Sequence, residues 1–531
     1  FDPALVAGRL DGLPLVHFGL FRTRREIRPL EGLPESGAYE LGEVRPALGP
    51  ERYERIVSAL LELIAAGDTY QVNFTFPLRG RFRGDPLALY RDLCLAQRSA
   101  FCAYLEVGSR AIVSASPELF FRVDGRRAEL RPMNGTRPRG RWSAEDEALA
   151  CELAESPKER AENLMIVDLL RNDLGRVAKF GSVRVPRLFE VERYPTVHQL
   201  TSTITGDLRP EAGIVDLFRA LFPSGSVTGA PKIRTSAIIH QYEDFARGVY
   251  TGVIGFVSPG EAVFSVAIRT ALVAQDAGTV EIGVGSGITA DSIAAAEYRE
   301  CLNKGEFLRR RLPEFELLES LRLENPGGYP FIDAHLERLS ASAAYFGFPC
   351  GKASIREALL CEARRLPVGT YKVRLLLNRA GEIRIDSTRI PDRLPTARVA
   401  VSDQRVSSAD PFLSHKTTYR PTHERALAGR PDCDDVILLN ERGELTESTR
   451  ANLVLEIEGE MVTPALESGL LPGVFRRGLL AEGRISERVL FPSDLQRARR
   501  IYLINSVRGW REAVLVAEEV EVGGHPVGGG R

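Results

Sequence analysis

The sequence predicts an α+β chain of two domains that meet near Leu312. Three observations carry this expectation. Apolar residues recur at helical spacing in some segments, while β-branched runs bounded by glycine fill others. A charged helical segment, GEFLRRRLPEFELL, runs into Pro313, which removes a donor and disfavours helix in the residue before it. The chain has 531 residues, 44% of them hydrophobic, too many for one core at roughly 150 residues per domain.

In chain order, Arg52 to Ala66 carries Ile56, Leu60, Leu63 and Ile64 as one helical stripe. Ala111 to Ser114 reads as a strand, as do Val249 to Val257 and Ala262 to Val273. Ser156 to Arg176, SPKERAENLMIVDLLRNDLGR, has Leu164, Val167 and Leu170 at helical spacing. DSIAAAEYRECLNK, from Asp291, begins another helix. Beyond the joint, Val373, Leu375 and Leu377 share one face of a strand, and a turn at Arg379-Ala380-Gly381 leads into Glu382 to Arg389 as a hairpin. A second hairpin is expected from Val436 to Asn440, a turn at Arg442-Gly443 and a strand over Asn452 to Ile457. Gly523 to Arg531 is glycine-rich and expected to fray.

Charge and composition exclude several classes. Lys plus Arg total 70 against 71 Asp plus Glu, so no net field favours nucleic acid or an anionic membrane. The seven cysteines show no CxxC spacing, which suggests neither a zinc site nor a disulfide framework. No apolar run is long enough to span a bilayer, and no basic start with an apolar core reads as a signal peptide. The expectation is a cytoplasmic protein that binds neither nucleic acid nor membrane.

Two acidic helix faces stand out. Glu155, Glu159 and Glu162 fall at i, i+4 and i+7, and Glu297 and Glu300 at i, i+3, so each set shares a face on which like charges repel. A solvated acidic surface accounts for this as well as a cation does. Mg²⁺ takes few carboxylates and keeps waters or substrate oxygens as its other ligands. Gly283-Val284-Gly285-Ser286-Gly287 would let backbone amides approach an anion. SGSVTGAPK, Ser224 to Lys232, is not a P-loop because Ala230 and Pro231 separate Gly229 from Lys232.

YQVNFTF from Tyr70, SASPELFF from Ser114, PMNGTRPRG from Pro132, the Ser156 helix, SGSVTGAPK, AIRT from Ala267 and GSGITADS follow one another over about residues 50 to 305. In that order they resemble the chorismate-utilising enzymes: anthranilate synthase component I, aminodeoxychorismate synthase component I and isochorismate synthase. The resemblance implies two packed β-sheets flanked by helices, and a Mg²⁺-dependent displacement on the chorismate ring. It implies Glu162 and Glu300 as metal ligands, with Glu159 and Glu297 supporting waters. It implies Tyr250, Arg269 and the backbone of Gly285 and Gly287 at the enolpyruvyl carboxylate, for which the arginine fork is suited. Gly135 and Thr136 fall among the substrate contacts, and His198 and Ser226 match ring-contacting positions. Glu118 matches the general acid for the C4 hydroxyl, which needs a raised pKa.

Gln71 stands where isochorismate synthases carry a water-activating lysine, which argues for amination. Asn134 departs from the pattern. Aminodeoxychorismate synthases usually have a lysine there that attacks C2, and anthranilate synthases usually have alanine. A carboxamide nitrogen is not a nucleophile, so the first domain alone leaves C2 and C4 amination open. None of the cysteines sits in a nucleophile turn, which implies a separate glutamine amidotransferase subunit, or free ammonia, as nitrogen source.

In the second half, LSHKTTYR from Leu413, DVILLNERGELTESTRANL from Asp435, ESGLLPGVFR from Glu467 and FIDAHLERL from Phe331 resemble the fold-type IV pyridoxal-phosphate enzymes over about residues 315 to 515. These include branched-chain and D-amino acid aminotransferases and aminodeoxychorismate lyase. The resemblance implies two α/β subdomains and a homodimer. Lys416 becomes the Schiff-base lysine, Glu447 the partner of the pyridinium nitrogen, and Arg338 a phosphate ligand, with Val474, Phe475 and Ser506 completing the anion cradle. Pro421 stands where several aminotransferases have a tyrosine, which favours lyase over transaminase. Joined in one chain over 1–312 and 313–531, the two halves point to amination of chorismate at C4 followed by pyruvate elimination to 4-aminobenzoate, for folate synthesis. The alternatives are an anthranilate-type synthase fused to an aminotransferase-like domain, and a chorismate-binding scaffold for a glutaminase.

Overall fold

The computed structural model describes residues 13–27, 32–34, 37–309, 311, 313–391 and 394–516. The expected joint residue Leu312 and the expected frayed tail Gly523 to Arg531 lie outside these. The chain divides into two compact units, Phe1–Arg139 with Ala148–Leu312, and Gly140–Glu147 with Pro313–Arg531. The short piece Gly140–Glu147 was not set apart by the sequence. It groups with the second unit because the Tyr345 hydroxyl donates to the Gly140 carbonyl at 2.8 Å and Arg141 reaches the carbonyls of Ser408 and Glu467.

In the first unit, helix Pro50–Ala65 forms where the stripe predicted it, with proline at its start and Tyr53, Val57 and Leu60 buried. It packs on an eight-stranded sheet whose main order runs Tyr39–Leu41, Gln71–Gly84, Thr279–Ile288, Thr270–Ala274, Arg110–Ser116 and Phe101–Val107. Phe74, Phe76, Val113, Val273 and Ile282 fill the core beneath. A seven-stranded sheet, running Val253–Ser258, Glu261–Val266, Leu119–Asp124, Arg127–Arg131, Val197–Asp207 and Met133–Pro138, with Arg184–Arg193 on its flank, has a separate core. Helix Pro157–Gly175 covers it through Ile166, Val167, Leu170 and Leu174.

Two of the chain's passages between these sheets matter for the site. Ser116 ends a strand of the first sheet and Leu119 begins one of the second; Val266 ends in the second and Thr270 begins in the first. The single strand expected over Ala262 to Val273 is therefore two strands, broken where Arg269 takes φ +48°. The strand expected from Val249 starts only at Val253, since Thr251 at φ +62° holds a turn there. The two crossings are tied together: Val266 N–H donates to the Glu118 carbonyl at 3.1 Å, Ala115 N–H to the Arg269 carbonyl at 3.1 Å, and the Ser116 hydroxyl to the Val266 carbonyl at 2.6 Å.

In the second unit, strands Leu317–Asn325, Gly369–Leu377 and Ile383–Arg389 form an antiparallel sheet, the last two being the first expected hairpin. Helix Ile332–Phe346 packs on it. The other sheet has eight strands, and six of them close on themselves: Leu445–Ser448, Asp435–Asn440, Ala397–Val406, Gly509–Leu515, Arg500–Asn505 and Asn452–Ile457, sealed by the pairing of Glu447 with Asn452. The second expected hairpin is corrected accordingly. Asp435–Asn440 turns back into Leu445–Ser448, and Asn452–Ile457 pairs with Glu460–Pro464 and Arg500–Asn505. Ser448 and Asp435 lock that corner through a 2.8 Å hydrogen bond.

Candidate active sites

In the first unit, the crossings place Glu118 and Arg269 at the ends of strands, where side chains escape the pleated faces. Glu118 is 3% exposed, and the Ser226 hydroxyl donates to its Oε1 at 2.5 Å. Burial raises its pKa to about 7, against the opposing pull of that hydrogen bond. Tyr250 lies deep within electrostatic reach of Glu118, and burial raises its phenol. A Cβ at Gly283 would stand 2.1 Å from the Tyr250 ring, so only glycine admits the tyrosine there.

The glycine run expected to let backbone amides approach an anion is part of strand Thr279–Ile288, in register with Gln71–Gly84. The neighbouring strand Thr270–Ala274 pairs only as far as Ile282, so beyond it alternate peptides face away from the remaining ladder. The Gly285 carbonyl does so, accepting from Lys304 Nζ at 3.0 Å. A Cβ at Gly287 would meet Gln71 Nε2 at 2.3 Å. Gln71 Oε1 is buried without a partner among the described residues, a polar atom left for a ligand.

Of the four glutamates, Glu162 lies within electrostatic reach of Glu159 and Glu297. Among the described residues no three metal-ligating side chains form a group. Arg137 Nη1 holds Glu159 at 3.0 Å, and Lys304 holds Glu300, half exposed, at 2.7 Å. The Ser292 hydroxyl donates to Glu297 at 2.8 Å. Glu162 is largely enclosed, its side chain 17% exposed. Burial raises its pKa, the charges of Glu159 and Glu297 add to that, and Lys158 and Asn134 oppose it. Asn134 Nδ2 donates to Glu162 Oε2 at 3.3 Å. Gly135, at φ +83°, lets Glu159 approach to where a Cβ would be 2.7 Å from Oε2. This repulsion fits a cation that takes two or so carboxylates and completes its shell with other oxygens, as Mg²⁺ does. His198 is fully buried in strand Val197–Asp207, opposite Arg137, while Thr136 lies exposed opposite Gln199.

In the second unit, Arg338 and Glu447 lie within electrostatic reach of Lys416. Its ammonium lies deep among protein atoms, and burial together with the charges of Arg420 and Arg338 lowers its pKa to about 7, opposed by Glu319 and Glu447. Glu447 sits at the seam of the closed sheet. It accepts from Asn452 Nδ2 at 3.2 Å, Leu471 N–H at 3.3 Å and Arg420 Nη2 at 3.4 Å, with His423 Nε2 at 3.3 Å. Arg338 is gripped by Glu319 through two hydrogen bonds, 2.9 and 2.6 Å, and His335 Nδ1 stands 2.7 Å from the same carboxylate. Burial alone would raise Glu319, but Arg338 and His335 bring it down to about 2.

Helix Val474–Ala481 starts after Gly473, where a Cβ would be 2.0 Å from Asn452 Oδ1. Phe475 contacts Phe331, and Arg477 reaches the Ala334 carbonyl, which brings the start of this helix to the element carrying Arg338. The Ser506 hydroxyl donates to the Ser320 carbonyl at 3.3 Å. His335 Nε2 is buried and without a partner among the described residues. A lysine able to shed its proton, a buried carboxylate, an arginine beside a helix start and a glycine-narrowed gap together fit pyridoxal phosphate.

Sequence reasoning missed Glu319, His335, Arg420, His423 and Asn452 around Lys416, and Gln97, which accepts a hydrogen bond from Arg269. The one available signal was proximity in sequence: Arg420 and His423 follow Lys416 by four and seven residues, one helical face had that stretch been read as helical.

Residues 22–310 match the family model of chorismate binding enzymes, and residues 316–516 that of class IV amino-transferases. The chain is 47% identical over 258 residues to an aminodeoxychorismate synthase of Streptomyces pristinaespiralis, covering 48% of this chain and 36% of that one. It is 42% identical over 263 residues to anthranilate synthase component 1 of Aquifex aeolicus, covering 49% and 53%. A solved structure described as a putative amino-acid aminotransferase from Mesorhizobium loti is 33% identical, covers 38% of this chain and 100% of that one, and has a TM-score of 0.36. The chain thus spans only about a third to a half of the curated relatives named here. No helix among the described residues is long and apolar enough to cross a membrane.

Proposed function

The chain belongs to the chorismate binding enzyme family, and from that premise we propose that it makes 4-aminobenzoate in two steps: Mg²⁺-dependent amination of chorismate at ring C4, then elimination of pyruvate in the second unit. The observation that carries the reading is Lys416, a half-buried lysine whose pKa is lowered to about 7, within one chain with a chorismate-type unit. An amine at C4 gives the second unit a substrate; an amine at C2 would leave Lys416 without one.

In the first unit, Arg269 and Tyr250 would hold the enolpyruvyl carboxylate. Glu162 and Glu300 would hold Mg²⁺, with Glu159 and Glu297 supporting its waters; when bound, the ion would supply charge that fixes and polarises the ring carboxylate side. Glu118 is neutral up to about pH 7, so its carboxyl can hand a proton to the departing C4 hydroxyl oxygen, with Ser226 fixing its orientation. Asn134 offers no nucleophile, so the attack at C2 that precedes C4 amination falls to water or ammonia. Ammonia comes from a separate glutamine amidotransferase, or from solution.

In the second unit, pyridoxal phosphate, when bound, supplies an aldehyde carbon and an electron sink. Arg338, the amides of Val474 and Phe475, and Ser506 would take its phosphate, and Glu447 its ring nitrogen. Lys416 Nζ would then take the proton from ring C4 as pyruvate leaves and the ring becomes aromatic.

The test is a product assay with purified protein, chorismate, ammonia, Mg²⁺ and pyridoxal phosphate, read by chromatography. 4-Aminobenzoate is expected, and Asn134→Lys should not lower its yield relative to 2-aminobenzoate. Formation of 2-aminobenzoate alone would overturn the reading. The similarity to anthranilate synthase component 1 and the absence of a lysine at Asn134 make that the outcome to look for.

A further inference from the structure

Arg269 occupies an unusual position. Its backbone is in the left-handed region, at φ +48°, in the short passage between Val266 of one sheet and Thr270 of the other. The neighbouring peptides are committed: Ala267 N–H donates to the Gly252 carbonyl at 2.8 Å, and the Arg269 carbonyl accepts from Ala115 N–H. The start of its side chain is therefore fixed, but a long guanidinium arm keeps rotamer freedom of about 2 kcal/mol unless something holds its far end.

Gln97 holds it. Arg269 Nη1 donates to Gln97 Oε1. Gln97 is 3% exposed and is the last residue of helix Pro86–Gln97, which ends at Arg98 with φ 47°. That helix is anchored by the Asp85 cap on Leu87 N–H and by Leu89 and Leu93 in the core of the first sheet. The amide is thus fixed to a rigid element on one side of the crossing while the guanidinium springs from the other. The chemistry of the partner matters too. Other arginines of the chain pair with carboxylates, as Arg338 does with Glu319 and Arg247 with Glu243. A glutamine oxygen fixes the guanidinium without bringing a unit of negative charge to it.

We propose that Gln97 is the positioning residue that presents Arg269 to a carboxylate of the substrate. This rests on the reading that Arg269 binds that carboxylate, and it adds the residue that sets the arm's angle and preserves its charge. Gln97 touches no reacting atom, so its effect belongs in substrate binding more than in the chemical step.

The experiment is steady-state kinetics of chorismate consumption with ammonia and Mg²⁺ in the full chain, for Gln97→Met, Gln97→Glu and Arg269→Met. Gln97→Met removes the acceptor at nearly constant volume and is expected to raise KM for chorismate about tenfold or more, with kcat changed much less. Gln97→Glu keeps length and acceptor but claims the guanidinium's charge, and is expected to raise KM at least as far, although a structural role alone would tolerate this near-isostere paired to arginine. Arg269→Met is the control on the underlying reading. If it leaves KM unchanged, the carboxylate assignment itself fails. If it raises KM while both Gln97 variants match the parent chain, the carboxylate assignment stands and the positioning role is overturned. Should Gln97→Met fail to fold, Gln97→Glu still decides the question.

Discussion

Glu118 and Lys416 reach nearly the same acidity from opposite directions. The carboxyl is raised to about 7 and the ammonium lowered to about 7, and in both the leading cause is burial, which penalises whichever form carries charge. The remaining causes differ. Around Glu118 the one further resolved influence is the Ser226 hydroxyl, which pulls back. Around Lys416 two arginines push down and two glutamates pull up. Exclusion of water suffices to make a carboxylic acid that keeps its proton near neutrality. A lysine is brought to the same point inside a balanced set of charges, and that balance can be adjusted by substitution.

The most direct way to break the comparison is to remove each group alone. Glu118→Gln should slow chorismate consumption by about 10²–10⁴ and leave pyruvate release from supplied aminodeoxychorismate intact. Lys416→Ala should do the reverse, with the aminated intermediate accumulating in the chromatogram. Loss of both activities in either variant would show that the two chemistries are not separable.

Glu319→Gln sharpens the contrast. It strips a buried carboxylate from Arg338 and His335, which should cost about 3–5 kcal/mol in denaturant unfolding. It also removes a charge that raises Lys416, so the lysine should titrate lower still.

The pH dependences should run in opposite senses. Glu118 works protonated, so chorismate turnover should fall as pH rises through about 7. Lys416 must be neutral to attack an aldehyde, so the rate at which cofactor-free protein takes up pyridoxal phosphate, followed by its visible absorbance, should climb through about 7. The smallest effect is expected from Ser226→Ala. Removing a hydrogen bond that favours the carboxylate should move the alkaline fall in chorismate turnover slightly upward, with no change in cofactor uptake.

What was legible in the sequence was local periodicity and ordered motifs. The helix over Arg52 to Ala66 appears within two residues of its observed bounds, because a single stripe faces a single sheet. The passage from Val266 to Thr270 was read as unbroken strand, because the β-branched pattern continues across it; the residue that bends it, Arg269, has no turn signature. The smallness of the glycines at 283, 285 and 287 also admits Tyr250, Phe74 and Gln71 across the sheet, contacts that no local window contains. Likewise Glu319 lies 97 residues before Lys416 and Gln97 lies 172 before Arg269, so their roles arise only from packing. The glutamates at 159, 162, 297 and 300 were correctly placed on two helix faces, but the cations beside them, Arg137 and Lys304, decide where their side chains point.

The seam at Glu447 and Asn452 has a consequence for how the second unit comes apart. It is the one pairing that turns an open ribbon of strands into a ring, and its two side chains also reach Leu471 and the mouth of the helix that follows Gly473. A small molecule lodged against Glu447 therefore acts as a clasp on the ring, and its departure would lower the barrier to opening at that point first. Retention of the molecule and resistance of these strands to unfolding are then two readings of a single free energy.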